Sequence, residues 1–193
     1  MESVDVQDVT ESAGQASDPF KTKCAMLVSV LAMILALASL GGSNAAKEAT
    51  MNNILAANAF SFYQAKNIRQ TALKLAADDL ETQMQWPQLP VPLKQSMAKR
   101  LETYRSTIAR YESEPDTGEG KKELMARARG HERDRDLALA RDPWFDAAEA
   151  LLQIAIVLMS ITLITDRRLF FWAASLLGLA GALSTFNGFF LIL

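Results

Sequence analysis

The residues that could do chemistry in this chain are few and scattered. The one histidine, His131, sits in a run of charges (Gly130 to Asp136), and the one cysteine is Cys24. A lone imidazole without a cysteine pair supplies no metal-ligand set, and His131 reads as a solvated side chain. Cys24 borders an apolar block and reads as a small apolar residue, with S-acylation as the alternative; a single cysteine excludes an intrachain disulfide. Neither a glycine-rich phosphate loop nor a Gly-x-Ser-x-Gly turn occurs, and the acidic pair Asp78-Asp79 reads as helix surface. The expectation is a non-enzymatic protein without a cofactor.

More suggestive are polar groups set in apolar surroundings, where they are costly and often mark a site. Glu149 and Gln153 lie one helical turn apart, and Asn187 and Ser39 stand in two other apolar blocks. If the three blocks pack together, Ser39, Glu149, Gln153 and Asn187 lie at one depth. Such a cluster serves either a lipid headgroup, an ion or a proton, or else hydrogen-bonds the helices to one another. The second is the expectation.

The elements that position these residues follow from the distribution of charge. Half of the 193 residues are apolar and the net charge is −2, but the apolar residues are concentrated in three blocks. Cys24 to Gly42 carries no charge and approaches the roughly 20 residues that cross a bilayer. Ala147 to Thr165 and Leu169 to Leu193 are the others, separated by Asp166-Arg167-Arg168. Between the first two blocks, residues 43–147 hold 16 Lys+Arg and 15 Asp+Glu. That near-balance lacks the net basic face of a nucleic-acid binder and fits an ion-paired helical surface.

The expected organisation is therefore all-α: a disordered acidic tail (1–20), a first transmembrane helix (21–42), a charged helical segment (43–142), a second transmembrane helix (143–165) and a third (169–193). Within the charged segment, helices are expected at about 43–85, 93–113 and 121–141. Pro87, Pro90 and Pro92 interrupt the first pair, and Glu114-Pro115-Asp116-Thr117-Gly118-Glu119-Gly120 forms the loop between the second pair. Asp142-Pro143 reads as the N-cap and first residue of a new helix. At about 1.5 Å per residue, 43–85 could extend on the order of 60 Å. The chain closes if the next two helices return end to end along it, a hairpin or coiled-coil stalk kinked near Pro115. A cleavable signal ending near Ser43-Asn44-Ala45 is the weaker reading. Arg167 and Arg168 in a short turn place that turn, and with it the N-terminus and Lys21 and Lys23, on the cytoplasmic side, and the stalk on the outer side.

Small residues recur at three- and four-residue spacing in Ser29, Ala32, Ala36, Ser39 and Ser43, and Ala174, Gly178 and Ala182 form a small-xxx-small face. Both are expected to let helices approach closely. A second, weakly apolar stripe follows: Ile54, Asn58, Ser61, Ala65, Ile68, Ala72 and Leu75. Phe60, Phe62 and Tyr63 are expected in packing or an interface.

The run Asn58 to Arg69, NAFSFYQAKNIR, with Phe60, Tyr63, Gln64, Ala65 and Lys66, resembles the aromatic-x-x-Tyr-Gln-Ala-Lys signature of a bacterial family known as domain of unknown function 4337. So does the combination of Leu152 to Ile156 with Arg167-Arg168. Phe60 stands where tryptophan is more usual. The resemblance implies a polar N-terminal tail, one span, a charged helical segment and two closely spaced spans; the expected location is a bacterial inner (cytoplasmic) membrane. It implies no activity, and it points to Tyr63, Gln64, Lys66 and Gln153 as the residues to test. Together these readings favour an assembly, scaffold or accessory protein that contacts membrane lipid, pairs with itself or joins a larger membrane complex, and binds no nucleic acid. An oligomeric channel or transporter-like protein is the alternative, and a membrane-bound enzyme is third.

Overall fold

The computed structural model describes residues 19–192. The tail expected at 1–20 lies outside the described residues up to position 18, and Pro19 and Phe20 already belong to a helix. Proline is well tolerated at a first helical position, and the Phe20 ring is held 5.6 Å from that of Phe171. The described residues form four helices, α1 (Pro19–Met84), α2 (Val91–Glu112), α3 (Lys121–Thr165) and α4 (Arg168–Phe190), and no strand. Three of them, α1, α3 and α4, are apolar and long enough to cross a membrane.

Proline and local capping explain most of the breaks. Pro87 and Pro90 end α1, and α2 begins after Pro90 with Pro92 in its first turn, where the missing N–H has no helical partner to lose. The end of α4 is a side-chain cap. Leu191 turns left-handed (φ 48°), and the Ile192 N–H donates to Asn187 Oδ1 at 2.8 Å.

The helix start expected at Asp142-Pro143 does not occur, because α3 runs through Pro143. An interior proline costs about 3 kcal/mol by removing a backbone hydrogen bond and crowding the preceding turn. Pro143 is exposed, as is Leu139, the residue whose carbonyl loses its partner. Ala138 and Phe145, on either side, are buried, so packing holds the helix where local preference would restart it. Gly41 and Gly42 likewise leave α1 unbroken.

The covered residues of α1 follow two interleaved seven-residue series. One is Cys24, Leu31, Ala38, Ala45, Asn52, Ala59, Lys66, Leu73 and Leu80. The other is Val28, Leu35, Gly42, Ala49, Ala56, Tyr63, Gln70, Ala77 and Met84. In α3 the series are Leu124, His131, Ala138, Phe145, Leu152 and Met159, and Lys121, Ala128, Arg135, Asp142, Glu149, Ile156 and Leu163. A repeat of 3.5 residues keeps one helix face against a partner.

The chain divides into two compact units. The first holds α1 up to Ala46, α3 from Leu139 and α4. Its core is Leu31, Ala38, Ala148, Leu152 and Ala155, continued by Cys24, Met159 and Ala174. Large side chains enter glycine notches. Leu31 lies against Gly178, and a Cβ on Gly181 would sit 2.7 Å from Leu152 Cγ. Phe145 fills a notch made by Gly41, Gly42 and Gly188, where a Cβ on Gly188 would lie 2.8 Å from the ring. Lys21 and Asp166 pair at 3.5 Å on the surface of this unit.

The second unit is Lys47–Ala138. Here α2 and the start of α3 meet successive stretches of α1 in antiparallel order. Arg105 contacts Glu81, Gln70 contacts Ile108 and Glu112, Lys121 contacts Gln70, and His131 contacts Asn52. Alanine dominates the buried face, with Ala56, Ala59, Ala77, Ala128 and Ala138 all buried.

Candidate functional site

The densest polar arrangement lies in the second unit, where the α2–α3 loop meets α1. Tyr63, Lys66 and Gln70 reach it because they occupy consecutive positions of the α1 seam, spaced three and four. Gln70 is 2% exposed, so its amide must be satisfied by protein. Its Nε2 donates to the Ile108 carbonyl and to Glu112 Oε2, both at 3.0 Å. Its Oε1 accepts from Lys121 Nζ at 2.8 Å. Lys121 Nζ also lies 3.3 Å from Glu112 Oε2 and 5.6 Å from the centroid of the Tyr63 ring.

Lys66 is the second clamp. Its ammonium lies 3.7 Å from Glu114 and 3.5 Å from Glu119, with its side chain only 12% exposed, and 5.5 Å from the Tyr111 ring centroid. The third clamp runs within the loop. The Ser113 hydroxyl donates to Glu123 Oε1 at 2.6 Å, and the Glu114 N–H donates to Glu123 Oε2 at 3.1 Å. Gly118 turns left-handed (φ 66°), and Gly120 packs against the backbone of Ser113 and Glu114. Hydrogen bonds to an ionised carboxylate favour that form. The Gln70 amide, followed by Lys121, therefore holds Glu112 below the usual glutamate range, and the Ser113 hydroxyl and Glu114 N–H do the same for Glu123.

Chemically, this arrangement joins three helix segments through matched donors and acceptors. Among the described residues no group of His, Cys, Asp and Glu could hold a metal. Beside the clamps, a cavity of 320 Å³ is lined by Tyr63, Glu112, Lys121, Lys122, Met125, Ala126 and Arg129.

The structure sorts the residues singled out from sequence into three sets. Tyr63 and Lys66 come together at this junction, Phe60 is half-buried beside it along α1, and Gln64 faces outward. In the first unit, Gly178 and Asn187 are buried and Glu149 is half-buried, with a carboxylate oxygen 3.8 Å from where a Cβ on Gly42 would lie. Gln153 and Ser39 are exposed, so the four polar groups expected at one depth do not form one buried cluster. Ser29, Ala32 and Ala36 are also exposed. The intrachain seam runs one residue over, a rotation of about 100° on a helix. The stripe from Ile54 to Leu75 is exposed at every position and lies two residues from the seam. Gln70, Glu112 and Lys121 escaped the reading of the sequence. Counting sevens from Ala56 and Tyr63 reaches Gln70, which is the signal that was available.

Among the described residues the protein is all-helical, and three of its helices are apolar and long enough to span a bilayer. The profile described as Domain of unknown function (DUF4337) matches residues 20–191, so the chain belongs to that family. No curated protein and no solved structure matches it.

Proposed function

We propose that this is a non-enzymatic integral membrane protein of the bacterial inner membrane that works by helix packing. Its spans are the apolar parts of α1, α3 and α4, and residues 47–138 form an extramembrane helical hairpin that serves as scaffold or accessory module. Its principal partner is a second copy of itself, with lipid around the spans. The cytoplasmic side carries Lys21, Lys23, Arg167 and Arg168, in keeping with the positive-inside tendency. The pairing of Lys21 with Asp166 supports one common side for these groups.

One observation carries the reading. After the intrachain seam is filled, α1 still presents Ile54, Ile68 and Leu75, 51%, 70% and 65% exposed, at three- and four-residue spacing with Asn58, Ser61, Ala65 and Ala72. Large apolar residues interspersed with small ones leave an uncovered face that a second copy of the same helix can cover in a two-fold contact. Native mass determination of the full chain in mild detergent tests this. A dimer or higher oligomer that falls to monomer in the Ile54→Glu, Ile68→Glu double variant supports the proposal. A wild-type monomer contradicts it.

A further inference from the structure

The cavity beside the loop junction has a chemistry that the clamps do not use. Three of its lining residues, Lys121, Lys122 and Arg129, are cations, and one, Glu112, is a carboxylate. Lys121 and Glu112 are consumed by each other and by Gln70. Among the described residues Lys122, Arg129 and the Tyr63 hydroxyl make no hydrogen bond or close ion pair, although Lys122 lies within electrostatic reach of Glu112 and Glu123. Lys122 and Arg129 are seven residues apart, two turns along one face of α3, or roughly 10 Å. Met125 and Ala126 lie between them and give the cavity an apolar floor. Both cationic side chains are long enough to reach one ligand in this cavity, and Tyr63 also lines it.

We propose that this groove binds a phosphoryl oxyanion. A tetrahedral phosphoryl group can accept from an ammonium, from the planar fork of a guanidinium and from a phenolic O–H at the same time. Its charge matches the two positive charges the groove holds in excess. A short apolar substituent on the phosphoryl group would rest on Met125 and Ala126. The source is either a soluble phosphate monoester or the headgroup of a phosphatidic acid, and the chemistry of recognition is the same for both. This inference stands apart from the self-assembly reading, since the groove lies on α3 and the inner side of α1, away from Ile54, Ile68 and Leu75.

The test is calorimetric titration of the full chain in phosphatidylcholine nanodiscs with inorganic phosphate and with phenyl phosphate, against sodium chloride at matched ionic strength. A parallel titration uses short-chain phosphatidic acid. Saturable binding in either arm, weakened at least tenfold in the Lys122→Gln, Arg129→Gln double variant and unchanged in Arg133→Gln, supports the proposal. The responding arm identifies the source as soluble or lipid. Heat no greater than that of chloride in both arms, or binding that survives the double variant, overturns it. Helical content by circular dichroism keeps a misfolded variant from being counted as a loss of binding.

Discussion

The two units use the same seven-residue spacing on α1 and α3 and fill it with different chemistry. In the first unit the seam holds Leu31, Phe145 and Leu152, seated against Gly41, Gly42, Gly178, Gly181 and Gly188, and Met159 packed with Cys24 and Ala174. In the second it holds alanines, and then Tyr63, Lys66 and Gln70 locked to Glu112, Glu114, Glu119 and Lys121. An apolar surrounding offers helices little gain from hiding apolar surface, so shape fit must hold them. Where water competes, alanine contacts bury little area, and a desolvated polar clamp adds specificity of register. Under the proposed membrane placement, one repeat serves two solvents because its occupants change.

Breaking the first kind of fit should cost most. Gly188→Val places methyl groups inside the Phe145 ring, whose atoms lie 2.8 Å from a bare Cβ. The expected loss is at the upper end of roughly 1–3 kcal/mol for overpacking, read as a lower thermal midpoint in detergent. Gln70→Leu comes next. It leaves Lys121 and the Ile108 carbonyl short of a partner, at about 1–3 kcal/mol, with the loss confined to protection of backbone amides in residues 47–138 by hydrogen exchange.

Acid separates the units more gently. The folded-state pKa values of Glu112 and Glu123 lie below the ordinary 4.5. Their contribution is therefore complete above that value and is lost as pH falls through the lowered folded values. Circular dichroism melts across that range should show the second unit weakening, and Glu112→Gln should flatten the acid limb. The smallest effect expected is that of Lys66→Met, at about 1 kcal/mol, since Glu114 keeps Arg110 at 3.8 Å and exposed Glu119 contributes little.

Much of this was legible beforehand. Proline spacing and uncharged runs mark where the helices lie and which of them are apolar. The phase of the seam was harder to read. Between Ser29 and Ala57 alanine and serine are so frequent that several stripes of three- and four-residue spacing coexist, one residue apart, and composition does not choose between them. Only the large partners, Leu152 and Phe145 on a distant part of the chain, settle which stripe is covered. Pro143 misleads for a related reason, because its local preference is outweighed by the buried residues flanking it. At the junction, Tyr63 and Lys66 stood out as part of the family signature. Gln70 looks like any surface glutamine until its burial is known.

The self-assembly claim is tested most directly by a cysteine scan of residues 64–75 in a Cys24→Ala background, with cross-linking of the full chain in membranes. Dimers are expected to peak at Ala65, Ile68, Ala72 and Leu75 and to fall at Lys66, Gln70 and Leu73. A flat profile, or a peak at the seam positions, would contradict it.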